Sequence, residues 1–380
     1  MITCAQVSVY RHTGSVLAML IAIAIFLPAP AYVFADASAT NQRTVTKLAE
    51  GIYEIRHKDA PDHFSQGNTV VIIGDKAVMV VDSCYLPSSA REDIAQIAQW
   101  TNKPVRYLLN THWHNDHIQG NAVYAESFPG IAIIAQTETA KLMALRIGSY
   151  LSEYPQRMEK FQRELDTGKD PGGRPLTEEE KEDLRNAIAG GKAASEAVSA
   201  EFRNLRVRLP EVTFDHELDI DLGNREVQLK YLGRGNTVGD AIAYLPKEKL
   251  LIAGDLVDSP VPYLYGGYPL EEIDTLKRMA ALDFDTLVPG HGEVLKGKSF
   301  LQQETAMIEA VVEAMNREMG RTSDAPQTRY EEIKKAVEQI VDRDAWRQKF
   351  VGNNPSDREF FEVFAWPGLI EAAHAEMWPR

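Results

Sequence analysis

Apolar residues along this chain fall into two periods. Short runs typical of strands recur from about residue 45. They are Gly51-Ile-Tyr-Glu-Ile55, Asn68-Thr-Val-Val-Ile-Ile73, Ala77-Val-Met-Val-Val81, Val105-Arg-Tyr-Leu-Leu-Asn110 and Ile131-Ala-Ile-Ile134. Runs this short, bounded by turn residues, suit buried strands better than helices. Gly74-Asp75-Lys76 joins the second and third as a hairpin. A helix is predicted over Ser88 to Trp100, with Ile94 and Ile97 on one face, and another near Glu138 to Leu145. The strand signal resumes at Val227–Tyr231, Ala241–Tyr244, Leu250–Ala253 and Thr286–Val288, with a helix near Leu270 to Leu282 before the last. Strands alternating with helices indicate an α/β architecture.

Two stretches break this rhythm. Residues about 150–205 are rich in Glu, Lys, Arg and Ala, and Met158, Phe161 and Leu165 recur at helical spacing. Thr177-Glu-Glu-Glu180 has the form of a capping box. This is read as a helical insertion, either lying over the site or serving as solvated decoration. After Lys298 the chain is helical. Leu301, Ile308, Val312, Met315 and Met319 share one face, and Phe360, Phe361, Phe364, Trp366 and Trp378 are expected to be core or docking contacts. Residues 298–380 thus form a C-terminal helical extension to a main domain at about 45–297.

The N-terminus reads as a targeting segment. Arg11 and His12 precede the apolar run Val16–Leu27, Pro28 and Pro30 then break it, and Val33-Phe34-Ala35 offers small residues for cleavage before Asp36. Residues 1–35 are therefore expected to be a signal peptide, giving an exported, periplasmic or secreted protein without stable membrane anchoring after cleavage. Cys4 would leave with it, and Cys84 would remain as a buried, inert thiol with no disulfide partner. The net charge of −14 argues against a nucleic-acid binder.

The chemistry concentrates at His112-Trp-His-Asn-Asp-His117, with three imidazoles and a carboxylate in six positions. Imidazole and carboxylate together suit zinc, and also iron or manganese. The motif follows an apolar strand, so its side chains are expected on a loop at the strand's end. Gly254-Asp255 and Pro289-Gly290-His291-Gly292 also follow apolar runs. His57 and His63 are expected to be surface residues of a loop before Asn68, while His216 and His374 have no ligand-like context. Asp82 ends a strand and is placed either to orient a ligand or to cap a loop.

The order of these motifs (H-x-H-x-D-H, a Gly-x-Thr turn, Gly-Asp, Pro-Gly-His-Gly) resembles the metallo-β-lactamase superfamily. The resemblance implies a four-layer αβ/βα sandwich, here with a helical insertion and the C-terminal extension. It implies that His112 and His114 bind one metal, that Asp116, His117 and His291 bind a second, and that Asp255 bridges them. Up to two zinc ions are expected. One position departs from the family pattern: Gly235-Asn236-Thr237 stands where Gly-His-Thr is usual. Four readings stay open. Asn236 ligates through oxygen, water fills the gap, the first site is weak or empty, or Asn236 only closes a turn.

The expected reaction is attack of a metal-activated hydroxide, oriented by Asp116, on an ester, thioester, amide or lactam, or phosphodiester of a small-molecule substrate. No G-x-S-x-G elbow is present for a serine route. The alternatives are a true β-lactamase and a non-catalytic metal-binding relative. Arg234 is placed to hold an anionic substrate. Tyr263, Tyr265 and Tyr268 are expected to rim the pocket, with simple packing as the competing reading. The oligomeric state is not legible.

Overall fold

The protein's structure is a computed structural model. It describes residues 42–61, 64–146, 162–169, 175–203, 206–264, 266–319 and 330–378. The expected signal segment, His63, Met158, Phe161 and Tyr265 lie outside the described residues.

Seven strands form the first sheet in sequence order: β1 Thr44–Ala49, β2 Ile52–Arg56, β3 Thr69–Ile73, β4 Val78–Val81, β5 Val105–Asn110, β6 Ala132–Gln136 and β7 Val212–Phe214. The pairs from β1 to β4 are antiparallel and those from β4 to β7 parallel. The second sheet holds β8 Glu217–Asp221, β9 Glu226–Tyr231, β10 Ala241–Leu245, β11 Leu250–Asp258, β12 Thr286–His291 and β13 Leu295–Lys296. It is antiparallel except for β11 beside β12.

The continuous apolar runs arise because both faces of each sheet are covered. Val70, Ile72, Met79 and Leu109 of the first sheet meet Val227, Leu229, Ile252 and Val288 of the second. One residue along, Val71, Val80 and Leu108 face the other way. They pack against Ile97 of α1 (Pro87–Trp100) and Val123 and Tyr124 of α3 (Asn121–Ser127), which follows the one-turn α2 (Asn115–Ile118). The result is helix, sheet, sheet, helix. The strands with no apolar signal, β1, β7 and β8, are edge strands with largely exposed residues. Edges need no two-sided apolar pattern.

After β6 comes α4 (Thr137–Arg146), and the stretch read as an insertion contains α5 (Glu178–Phe202). The last turns of α5 dock: Val198 and Phe202 pack with Ala60, Tyr85 and Leu86, and the Ser88 amide donates to Glu201 Oε2 at 3.1 Å.

The outer layer of the second sheet joins α6 (Pro269–Ala281) and α7 (Ser299–Met319) to the C-terminal helices α8 (Tyr330–Ile340), α9 (Arg343–Val351), α10 (Pro355–Phe360) and α11 (Trp366–Met377). Phe361 and Trp366 are fully buried in this layer with Leu276 and Ile308, while Phe360 stays exposed. A tryptophan buried this completely contributes on the order of 4 kcal/mol from its apolar area. The C-terminal helices are thus part of the core. Among the described residues, no helix is long and apolar enough to cross a membrane.

Candidate metal centre

Two strand ends and the interior of a third strand deliver the site. Beyond β5 come Thr111 to His114, and Asp116 and His117 then sit on α2. The motif is thus partly helical, where a loop was expected. The turn closes as the His117 amide donates to the His114 carbonyl at 3.1 Å. Asp255 lies inside β11, not beyond its end, because that strand continues to Asp258. The ladder shifts register at Gly254, whose φ is +56°, and a Cβ there would lie 2.7 Å from the Thr111 side chain. Only glycine suits that backbone and that contact. His291 ends β12, next to Gly290, whose absent Cβ would fall 1.9 Å from Asp255 Oδ1.

These elements bring six predicted residues together in two groups that share Asp255: His112, His114 and Asp255, and Asp116, His117, Asp255 and His291. Asp255 Oδ2 lies 3.3 Å from His112 Nε2, and its Oδ1 lies 3.0 Å from His117 Nε2. His291 Nε2 stands 2.9 Å from Asp116 Oδ2 and 3.3 Å from His117 Nε2. Asn236 is buried at the first group, its Nδ2 3.5 Å from His114 Nδ1. His112 Nε2 and Asp255 Oδ1 are buried and make no hydrogen bond. Orphaned donor atoms of this kind, converging from imidazole and carboxylate, fit a cation.

A surrounding layer fixes these groups. Asp82, at φ +59°, accepts from the Thr111 amide at 2.8 Å and the Thr111 hydroxyl at 2.7 Å, and it stands 2.9 Å from His117 Nδ1. It therefore both orients a histidine and ties down a loop. Sequence reasoning missed three further contributors. Ser65 Oγ lies 3.0 Å from His291 Nδ1. Asn68 clips the histidine-bearing turn, with Nδ2 donating to the Pro289 and Gly292 carbonyls at 3.0 Å each. Buried Asp240 accepts from the Gly235 amide at 3.1 Å and the Thr237 hydroxyl at 2.7 Å, holding the turn that carries Asn236. The Thr237-x-x-Asp240 spacing was a usable signal; Ser65 offered none.

The two groups differ in charge. Burial opposes a proton on His117, but Asp255, Asp116 and Asp82 hold it well above the ordinary imidazole range. Burial opposes His291 too, and Asp255 with Asp116 raises it to about 9. His114 is lowered to about 3 by burial and by the His112 ring. Burial pushes the Asp116 and Asp255 carboxyls up, yet the His117 charge prevails and both stay below the usual range.

Other expectations are revised. Arg234, expected to hold an anionic substrate, already has an acidic partner. It pairs with Glu271, Nε to Oε2 at 2.8 Å, and stacks 4.3 Å over the Tyr268 ring. Tyr263 packs on the C-terminal core, its ring 5.5 Å from Phe360. His57 is not a surface residue: its side chain is 1% exposed, because it lies between β2 and α1 against Asp93. His216 is exposed, and His374 packs between Tyr330 and Trp378.

Comparison with known proteins fits this geometry. A family model described as Metallo-beta-lactamase superfamily matches residues 63–291. A linear primary-alkylsulfatase from Pseudomonas sp. (strain ATCC 19151) is 22% identical over 247 residues, 62% of this chain and 43% of that protein. The alpha subunit of a 2,4-dinitroanisole O-demethylase from Nocardioides sp. (strain JS1661) is 23% identical over 239 residues, 61% of this chain and 54% of that protein. The chain thus spans about half the length of these relatives. Among solved structures, a metallo-beta-lactamase from Pontibacter korlensis superposes with a TM-score of 0.50 at 16% identity, covering 70% of this chain and 99% of its own. At that identity the likeness concerns the fold.

Proposed function

This chain belongs to the metallo-beta-lactamase superfamily, and from that premise we propose that it is an exported, metal-dependent hydrolase of small-molecule esters or related acyl and phosphoryl compounds. The observation that carries the reading is Asp255, shared by two groups of imidazoles and bearing a buried oxygen with no hydrogen bond. On this reading His112, His114 and Asp255 hold one metal, with Asn236 at its edge. Asp116, His117, His291 and Asp255 hold the other. Zinc suits these donors, and iron or manganese share them. Bound there, divalent metals supply Lewis acidity and bring the pKa of water toward neutrality.

The chain's own residues do the rest. Asp82 holds His117 Nδ1, so Nε2 is presented inward. Ser65 does the same for His291. Asp116, a carboxylate on a helical turn, is placed to accept a hydrogen bond from an attacking water and to orient it. Its contact with His291 Nε2 fixes that oxygen.

The relatives named as an alkylsulfatase and an O-demethylase add a sulfate ester and a methyl ether to the classes worth testing. The test is a panel of chromogenic ester, thioester, phosphodiester, sulfate ester, aryl ether and lactam substrates on the mature, metal-loaded protein. Turnover in at least one class, abolished by chelator and restored by metal, is expected. Bound metal with no turnover across the panel overturns the reading and leaves a metal-binding protein. Export is checked by N-terminal sequencing, which should begin near Asp36; a full-length chain held in the membrane overturns it.

A further inference from the structure

The end of β4 bends sharply through Asp82, Ser83 and Cys84. Asp82 has φ +59° and Cys84 φ +60°, both in the left-handed region that residues with a Cβ seldom occupy. Such backbone persists where the surroundings over-determine it, and it concentrates at functional positions. Here it sends two side chains to different partners. Asp82 reaches His117 and Thr111. Cys84 lies against His57, which follows β2, and Asp93, in the middle of α1.

One ligand atom from each of His57, Cys84 and Asp93 lies within 4.8 Å of the other two. His57 Nε2 stands 3.2 Å from Asp93 Oδ2, and their side chains are 1% and 0% exposed. Cys84 is equally sealed, at 0%. The polar accounting does not close. Arg43 Nη2 donates to Asp93 Oδ1 at 2.9 Å; Asp93 Oδ2 has the His57 Nε2 contact but no formed hydrogen bond, and His57 Nδ1 makes none. Cys84 Sγ has only a long contact, 3.6 Å to the Leu86 carbonyl. Thr69 Oγ1, 3.2 Å from His57 Nε2, adds one more oxygen. Buried polar groups are nearly always paired, so a carboxylate oxygen and a ring nitrogen without a hydrogen bond in one sealed cluster call for a further partner.

Two ligand chemistries match thiol, imidazole and carboxylate. A nucleophilic Cys–His–Asp arrangement requires a path for substrate, and three sealed side chains offer none. A metal ion requires only the donor atoms and enters as the chain folds. Thiolate, imidazole and carboxylate together are a zinc-type set.

We propose that His57, Cys84 and Asp93 form a separate, sealed metal site that takes a zinc-type divalent cation. Binding expels the Cys84 thiol proton to solvent, and the thiolate and the Asp93 carboxylate balance the cation. Arg43 stays on the outer oxygen of Asp93. The site ties β2, the end of β4 and α1 together directly behind Asp82. It is therefore a structural site, and it differs from the two histidine groups in one measurable respect: it contains sulfur.

That difference sets the experiment. The chain's other cysteine is Cys4, so a Cys4→Ser background leaves Cys84 as the source of any thiolate. Protein produced in zinc-depleted, cobalt-supplemented medium should show thiolate-to-cobalt charge-transfer absorption in the near ultraviolet. Cys84→Ala should lose that absorption and one cobalt per chain while keeping the remaining cobalt. Where Cys84→Ala does not fold, X-ray absorption on the zinc-loaded parent takes its place, with a sulfur scatterer at about 2.3 Å expected. A parent with neither charge transfer nor sulfur scattering overturns the proposal, as does a folded Cys84→Ala with unchanged metal content. In either case the triad is a packed core cluster. None of these readouts depends on turnover, so this proposal and the hydrolase reading can fail independently.

Discussion

The two clusters beside Asp82 use similar side chains in different surroundings. The histidine groups lie where strand ends of both sheets meet, and His291 keeps a side chain 21% exposed. The His57–Cys84–Asp93 cluster lies under α1 with side chains at 0–1% exposure. The open cluster is built from carboxylate and imidazole alone. The sealed one adds a thiol and a guanidinium and admits no substrate. Access, more than residue type, separates chemistry from architecture here. Variants in the open cluster should therefore lower turnover with modest effects on folding, and those in the sealed cluster should do the reverse.

The largest effect is expected from His117→Ala. It removes the imidazole that contacts both Asp116 and Asp255. Loss of one metal's charge stabilisation is worth several kcal/mol, about 10³-fold in kcat. Metal content should fall by one ion per chain; retained turnover at saturating metal would break the comparison. Asp93→Ala is its counterpart. It strips Arg43 and His57 of a buried partner, which costs about 3 kcal/mol once the partial exposure of Arg43 is allowed for. Denaturant unfolding should show that loss while kcat per folded molecule stays unchanged.

The same contrast explains what the sequence disclosed. His112, His114, Asp116 and His117 are legible because a strand end and one helical turn place neighbours in sequence side by side. Asp255 and His291 are legible through the glycines that must flank them, since Gly254 and Gly290 leave no room for a Cβ. His57, Cys84 and Asp93 sit on three elements with no glycine or repeat to mark them. His57 read as a surface residue because nothing local showed that α1 would cover it. The pairing of Arg234 was not legible because Glu271, its partner, comes 37 positions later on α6. Edge strands β1, β7 and β8 escaped because they carry little apolar pattern.

A smaller effect tests the residue between the clusters. Asp82→Asn keeps the shape but removes the charge that holds His117 Nδ1 and the Thr111 loop. Loss of such an orienting partner costs roughly 10–100-fold in metal affinity or activity. A change confined to Tm would place Asp82 with the sealed cluster instead.

The pH dependence of the metal-free protein follows from the raised imidazoles. His291 at about 9, raised from 6.5, contributes stability that is fully present below pH 6.5 and is lost as pH rises through about 9. His117 acts in the same direction. The chelated protein should therefore lose a few degrees of Tm from neutral to alkaline pH, and a chelated Tm that rises over that range would contradict the assignment. Metal uptake runs the other way. It must displace these protons, so affinity in the Asp116–His117–His291 group should increase toward pH 9. His114, already neutral above about 3, adds no proton of this kind in the other group. Titration of the apo-protein at neutral pH and at pH 9 should show the step of the Asp116–His117–His291 group tighten.

The smallest and most discriminating change is Asn236→His. Asn236 is buried with its amide 3.5 Å from His114 Nδ1, and Asp240 holds the turn beneath it through Gly235 and Thr237. The added imidazole thus enters a turn already set by other residues, at the group that lacks a third histidine. First-group metal affinity should rise by about tenfold, roughly the worth of one additional neutral ligand interaction of 1–2 kcal/mol. Activity is a separate matter. If occupancy of the first metal limits the rate, kcat/KM rises at low metal and is unchanged at saturation. If the asparagine leaves space for a substrate group, kcat/KM falls at saturating metal even as affinity improves. We expect the second outcome, because Asn236 is buried beside His114, where an added imidazole takes up room at the first group. Unchanged metal affinity would leave Asn236 as a turn residue and would place the asymmetry of the open cluster in its protons alone.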